Sequence, residues 1–169
     1  MNDAARSTVV LGLGNPIMAD DGVGIAALNR LRSTWQVPPE VRLEDGGTWG
    51  MTLLPLIESA DRLLLLDAIR LHRLPGTHHR LGWDDLPRYL AHKLSPHQID
   101  LKEVLALCEL RGSIPGEVVA LGIEPARIEL DVELSPEVER GIPRLVHSAV
   151  AVLEDWRHHC VPRSLGACA

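Results

Sequence analysis

Three apolar or alternating segments of the chain each lead to acidic residues, which can bind metal ions or transfer protons. The acids are Asp20 and Asp21 after residues 8–13, Asp45 at the end of 41–45, and Asp67 near the end of 62–68. If the three segments are parallel strands, their carboxyl ends meet at one edge of a sheet, where α/β proteins bind ligands. A buried carboxylate there needs a partner, a hydrogen-bond network or a metal. The acids therefore predict a site at this edge.

Each of these acids also has a purely structural interpretation. Asp20 or Asp21 would stabilise the start of a helix. Asp45 would form a turn before two glycines, and Asp67 would cap a loop. For each residue alone the structural interpretation is favoured, but the whole set on one edge favours a functional site.

Among the eight histidines, His97 is the strongest candidate for the site. It lies in a proline-containing loop before a predicted helix, and functional residues concentrate in loops. Asp, Asp and His together suit a borderline divalent cation. His78 and His79 are neighbours on a predicted strand, so they point to opposite faces and do not chelate together. His158 stands beside a histidine and a cysteine, but their spacing is not that of a zinc site.

The glycines after the first predicted strand raise the alternative of nucleotide binding. Gly12 and Gly14 begin a dinucleotide fingerprint, but its third glycine would be residue 17, which is Ile17. The phosphate-loop pattern is absent as well. A nucleotide-binding α/β protein remains an alternative with weak support.

Strands alternate with helices along the sequence, which predicts an α/β fold. We expect a three-layer sandwich: a twisted, mostly parallel central sheet of about five strands with helices on both faces. Helices are predicted over residues 51–59, 84–91 and 100–110, and from Ser135 to Trp156, where Pro143 is expected to kink or split the helix. Residues 77–81 and 117–123 are the remaining predicted strands.

Length and composition predict one domain over residues 1–169, with 157–169 as a loose tail. The net charge of −6 and the lack of a basic stripe argue against nucleic-acid binding. The chain shows no signal-peptide pattern, and its apolar runs fall far short of the roughly 20 residues that span a bilayer. We expect a cytoplasmic protein that does not bind membranes. The three cysteines are too few for a disulfide framework.

Six segments, in order, resemble the motifs of the hydrogenase maturation endopeptidases. The first is LGLGNPIMADDGVG at residues 11–24, and the second is DGGTWG at 45–50. LDA at 66–68 and SPHQ at 95–98 match the third and fourth motifs, and GIEP at 122–125 and LSPEV at 134–138 fit later segments. Each motif alone is weak, but their ordered combination over residues 8–156 is specific.

The resemblance implies a protease that removes the C-terminal extension of a nickel–iron hydrogenase large-subunit precursor after nickel insertion. Its implied metal-contacting residues are Asp21, Asp67 and His97, with Asp45 as a further candidate at the same edge. Relatives often carry Glu in place of Asp21, so the side chain here is one methylene shorter. We expect no permanent metal, because the nickel in the nickel-loaded precursor completes the site; other divalent cations are possible occupants.

Several alternatives stay open at this point. The attacking water is activated either by a carboxylate or by the bound metal. A nickel-handling module without peptidase activity would use the same three residues. An unrelated peptidase or amidohydrolase on the same sheet is also consistent with the fold.

Overall fold

Five strands form the central sheet of the computed structural model, which describes residues 7–47, 50–86 and 101–164. These strands are β1 (Thr8–Leu13), β3 (Val41–Gly47), β4 (Arg62–Ala68), β5 (His78–Gly82) and β6 (Glu117–Ile123). Their spatial order is β3-β1-β4-β6-β5, and only β5 runs antiparallel to its neighbour. Two short strands, β2 (Trp35–Gln36) and β7 (Val161–Pro162), form a separate antiparallel pair.

Helices cover both faces of this sheet. They are α1 (Val23–Thr34), α2 (Leu54–Glu58), α3 (Leu101–Leu110) and α4 (Pro136–Asp155), and 3₁₀ turns at Ala19–Gly22 and Gly50–Leu53 precede α1 and α2. Helices α1 and α4 pack on one face, while α2 and α3 pack on the other. The expected three-layer α/β sandwich is confirmed. None of the described helices is long and apolar enough to cross a membrane.

The sequence of β1 and β4 explains their central positions. Both strands are buried along almost their whole length, and successive apolar side chains point alternately to the two helical layers. In β1, for example, Val10 packs in the α1–α4 layer, whereas Leu11 packs in the α2–α3 layer. Strands covered on both faces read as continuous apolar runs rather than alternating ones.

The path of the chain makes a topological switch between β1 and β4. After β1 the chain crosses by way of α1 to β3 on one side. After β4 it continues to the edge strand β5 on the other side, and α3 then leads back to β6 beside β4. The connections thus leave in opposite directions and on opposite faces. In α/β sheets a crevice opens outside the carboxyl ends at such a point, and ligands bind there. Asp21 and Asp67 belong to the segments that end at this crevice.

Three expectations about the helices are corrected or left open. Residues 51–59 form a 3₁₀ turn followed by the short α2 rather than one helix. Helix α4 is a single 20-residue helix despite Pro143. Proline has no N–H group, so one carbonyl of the preceding turn loses its helical hydrogen bond; because Pro143 is exposed, water can hydrate that carbonyl. Gly141 and Leu145 stay packed on the buried face of the helix. The helix expected over 84–91 falls mostly outside the described residues.

The expected loose tail is also corrected, as far as residue 164. His158 and Cys160 are buried, and the side chain of His158 hydrogen-bonds to Thr8 at the start of β1. Strand β7 pairs with β2 at the end of α1. This segment lacks helical or strand periodicity because single side chains, rather than a repeating face, attach it to the core. Residues 165–169 lie outside the described part.

Candidate active site

The start of helix α1 lies directly against the carboxyl ends of β1 and β4. A Cβ atom at Gly24 would lie 2.1 Å from the carbonyl oxygen of Leu66 and 2.4 Å from that of Leu13. Only glycine allows an approach this close. The glycines of the first motif therefore serve helix–strand packing, and they bring the 3₁₀ turn that carries Asp21 over the end of β4.

Asp21 is partly buried at this edge, and one of its carboxylate oxygens is fixed by the backbone. The N–H of Asn15 donates to its Oδ2 at 2.8 Å. Gly14, with φ of +111°, turns the chain so tightly that a Cβ atom there would lie 1.8 Å from the carbonyl oxygen of Asp21. Within the described residues, the other oxygen, Oδ1, accepts no hydrogen bond, so Asp21 keeps acceptor capacity for a ligand.

Asp20, one residue earlier, is a structural residue. Its side chain is 0% exposed and accepts hydrogen bonds from the backbone N–H groups of Ala126, Arg127 and Ser135 at 2.6–3.0 Å. The hydroxyl of Ser135 donates a fourth, at 2.9 Å. These four donors satisfy the buried carboxylate, as a charge out of contact with water requires. Asp20 therefore anchors the segment between β6 and α4.

Asp67 lies at the end of β4 and is only 4% exposed. The N–H of Ala68 donates to its Oδ1 at 2.8 Å. Its backbone pairs with Gly122, where a Cβ atom would lie 2.4 Å from the Asp67 carbonyl oxygen. Because Leu66 packs in the α1–α4 layer, alternation directs the Asp67 side chain to the α2–α3 side.

Asp45 lies at the same edge of the sheet but on its other side. It is exposed, and its Oδ1 accepts the N–H of Gly47 at 2.9 Å, which is the turn chemistry considered for it above. Gly46 faces Leu13 in the α2–α3 layer, so alternation directs Asp45 to the opposite face from Asp67. Strands β3 and β4 flank β1, so about 10 Å separates them.

A buried histidine–glutamate pair, which sequence patterns did not reveal, lies near Asp67. Glu124 follows β6 and is 2% exposed, and the His79 ring donates from Nε2 to its Oε2 at 2.9 Å. The N–H groups of Leu71 and His72 donate to Glu124 at 2.9 and 3.1 Å. Burial alone would raise the pKa of this carboxyl, but the hydrogen bonds, chiefly from Leu71 and His79, hold it below its ordinary value. Glu124 thus fixes the loop that follows Asp67. In the sequence, the position of Glu124 within the GIEP motif was the feature that could have drawn attention to it.

Comparison with known proteins identifies the family to which the chain belongs. The HycI family model, described as hydrogenase maturation protease, matches residues 25–152. The hydrogenase 2 maturation protease of Escherichia coli is 32% identical over 156 residues, which cover 92% of this chain and 95% of that protein. The hydrogenase expression/formation protein HupD of Rhodobacter capsulatus is 37% identical over 150 residues, covering 88% and 71%. The chain belongs to the hydrogenase maturation protease family.

The solved structures agree with this membership. The structure of the hydrogenase maturating endopeptidase HybD from Escherichia coli matches with a TM-score of 0.89 at 32% identity, covering 93% of this chain and 98% of that one. The chain is therefore an endopeptidase, and the resemblance inferred from its motifs is confirmed. The structure does not support a dinucleotide site, because Gly12 and Gly14 pack closely against the backbone of helix α1 and of the 3₁₀ turn before it.

One predicted member of the site, His97, lies outside the described residues. The trio of Asp21, Asp67 and His97 therefore stays a prediction. Within residues 7–47, 50–86 and 101–164, no group of three His, Cys, Asp or Glu side chains is placed to hold a metal ion.

A second polar cluster at the opposite edge has the residue types of a nucleophile triad. The hydroxyl of Thr8 lies 2.7 Å from Nε2 of His158, whose Nδ1 lies 3.7 Å from Glu40. Thr8 is 0% exposed, so no substrate peptide reaches it. Burial is also the main reason that the pKa of His158 lies below its ordinary value. The cluster attaches the C-terminal segment to β1.

The described cysteines are unsuited to act as the nucleophile of this protease. Cys108 and Cys160 are both buried. Burial is the main cause that raises the pKa of each thiol above its ordinary value, which lowers the fraction of reactive thiolate. The carboxylates of the switch crevice are the stronger candidates for the chemistry.

Proposed function

We propose that the protein removes the C-terminal extension of a nickel–iron hydrogenase large-subunit precursor after nickel has been inserted. The observation that carries this proposal is the position of Asp21 and Asp67 beside the switch crevice in a chain of the hydrogenase maturation protease family. Asp21 lies in the turn after β1 and Asp67 lies near the end of the adjacent strand β4, so both belong to the same edge of the sheet.

In this proposal Asp21, Asp67 and His97 recognise the nickel that the precursor already holds. Two carboxylates and one imidazole suit a divalent cation and leave coordination positions open for ligands from the substrate. The protease then needs no permanent metal of its own, although other divalent cations could occupy the same ligands. Cleavage becomes conditional on metal loading, because the trio binds tightly only where the metal is present.

The reaction itself is hydrolysis of one peptide bond. Water adds to the carbonyl carbon, the C–N bond breaks, and the new amine leaves with a proton. A carboxylate at this edge can accept the proton of the attacking water, and a metal ion held by the trio can lower the pKa of that water. Asp67 is a candidate in both routes, since it lies at the end of β4 and the N–H of Ala68 orients its carboxylate.

Intact-mass analysis of a nickel-loaded precursor tests this function. We expect the unsubstituted protein to release a C-terminal fragment, and Asp21→Asn, Asp67→Asn and His97→Ala to release little or none. Asp155→Asn is the matched control, because Asp155 is an exposed acid at the far end of α4 and should not affect cleavage. Asp45→Asn measures whether the acid on the other face contributes.

Two outcomes would contradict the proposal. If the three variants cleave as fast as the unsubstituted protein, the site is elsewhere. If the precursor stays intact although the folded protein binds nickel through the trio, the alternative of a metal-handling module is favoured over a protease for this substrate.

A further inference from the structure

The segment between β6 and α4 carries an ordered row of exposed apolar side chains. Leu130 is 80% exposed, Val132 is 75% exposed, and Ile128 precedes them at the same spacing of two residues. Across a parallel β-bridge between Met18 and Asp131, Ile17 adds a fourth exposed apolar side chain. We call Ile17, Ile128, Leu130 and Val132 the apolar ridge.

The ridge is held by an unusually dense set of hydrogen bonds for a surface loop. The buried carboxylate of Asp20 binds both ends of the segment, as described above. In its middle, the N–H of Asp131 donates to Ile17 at 3.1 Å, and the carbonyl of Asp131 accepts the N–H of Ala19 at 2.7 Å. The guanidinium of Arg127 donates to the carboxylates of Glu129 and Asp131. A loop anchored in this way presents its apolar side chains in a fixed arrangement.

The position of the ridge connects it with the candidate active site. Met18, which forms the bridge, is three residues before Asp21 in the same turn. The ridge is therefore continuous with the edge that faces the substrate. An endopeptidase has to hold a protein substrate beside its site, and exposed apolar patches next to a site mark such contacts.

From this continuity we infer that the apolar ridge is the surface on which the hydrogenase large-subunit precursor docks, by an apolar segment with basic flanking side chains. The inference rests on the proposed function. The apolar side chains would be buried by the partner. The charge requirement follows from the three acids of residues 127–133, Glu129, Asp131 and Glu133, against which the segment has one base, Arg127. An acidic segment would be repelled at this position.

Cleavage kinetics of the nickel-loaded precursor test the ridge. We expect Leu130→Ser to raise KM about tenfold, as for the loss of a buried apolar anchor, and to leave kcat unchanged, since it removes uniform binding. The matched control is Leu110→Ser. Leu110 is 85% exposed but lies at the end of α3, at the opposite edge of the sheet. Urea unfolding should show equal stability for both variants.

Equilibrium binding of the metal-free precursor, which the proposed function expects to stay intact, separates this inference from the proposed function. Binding is measured for the unsubstituted protein and for Leu130→Ser. Weaker binding of Leu130→Ser supports the ridge. Equal binding of the two, or no binding at all, overturns it. If the unsubstituted protein fails to cleave, the proposed function is wrong, and the binding measurement still decides whether the ridge docks the precursor.

Discussion

Two consecutive carboxylates, Asp20 and Asp21, belong to different regions of the molecule. Asp20 is inaccessible to water and accepts four hydrogen bonds from the segment between β6 and α4. Asp21 is partly exposed at the switch crevice and accepts one, from the N–H of Asn15. The same residue type in the same turn thus serves as an anchor in one case and remains available to a ligand in the other.

The difference teaches that accessibility and remaining acceptor capacity, rather than residue type, distinguish Asp21 from Asp20. At the opposite edge, Thr8 and His158 have the residue types of a catalytic pair but are buried. Asp67 is buried as well, so its candidacy rests on its position at the end of β4 and on its motif rather than on accessibility.

The largest expected effect is on cleavage by Asp21→Asn. The substitution removes the charge but keeps an oxygen that can accept the Asn15 N–H. We expect the rate of cleavage to fall by more than about 100-fold, a larger loss than for a residue that only supports a metal ligand. Stability should change by no more than about 0.5 kcal/mol. Asp21→Glu keeps the charge and is expected to retain most of the activity. Precursor cleavage and urea unfolding measure the two effects; unchanged cleavage by Asp21→Asn would remove Asp21 from the site.

Asp20→Asn, in contrast, is expected to act mainly on the stability of the fold. An amide has one acceptor oxygen instead of two, so its NH2 group faces a buried donor at either Oδ1, where Ser135 N–H binds, or Oδ2, where Ala126 and Arg127 bind. At least one buried donor is therefore left unsatisfied. We expect a loss of about 3 kcal/mol in the free energy of unfolding. Urea unfolding checks it. A protein as stable as the unsubstituted one would show that Asp20 is not an anchor.

Glu124→Gln should produce a smaller loss of stability. The amide keeps one oxygen, so some of the hydrogen bonds from Leu71, His72 and His79 survive. We expect a decrease of about 1–2 kcal/mol in the free energy of unfolding. Because the pKa of this carboxyl is lowered in the folded protein, its contribution is present above the unfolded pKa and is lost as pH falls through the folded value. The difference between the two proteins should therefore shrink at acid pH; a constant difference would argue against an ionised Glu124.

The smallest expected effect concerns the buried histidines. The pKa values of His78 and His158 are lowered, in each case mainly by burial. The unfolded chain therefore takes up protons at higher pH than the folded one, and stability should decrease as pH falls below about 6.5. In His158→Gln this decrease should be shallower. The midpoint of urea unfolding is measured over that pH range. If it changes with pH as steeply in His158→Gln as in the unsubstituted protein, His158 does not contribute to the pH dependence of stability.

Much of the fold was predictable because it depends on local patterns. Residues 9–13 and 63–66 are apolar without interruption, which indicated buried strands, and both segments form central strands of the sheet. The acids that follow these strands could be assigned to one edge from the parallel arrangement alone. The wrong expectation of a loose tail has a physical reason. His158 is held by Thr8, 150 residues away, and such a contact leaves no periodic signal.

The roles of individual site residues were less predictable. Nothing local distinguishes Asp20 from Asp21, because the partners of Asp20 are 106 to 115 residues away. The family resemblance selected Asp21, and the structure supplies the reason by showing that Asp20 is already fully used. The face on which Asp45 lies depends on its exact register with β1, which sequence patterns do not fix.

The most direct test of the central claim compares nickel-loaded and metal-free forms of one large-subunit precursor. Each is incubated with the unsubstituted protein, and the appearance of the C-terminal fragment is followed by intact mass. If Asp21, Asp67 and His97 recognise the substrate's nickel, the loaded precursor is cleaved and the metal-free precursor stays intact. Cleavage of the metal-free precursor at the same rate would contradict the account.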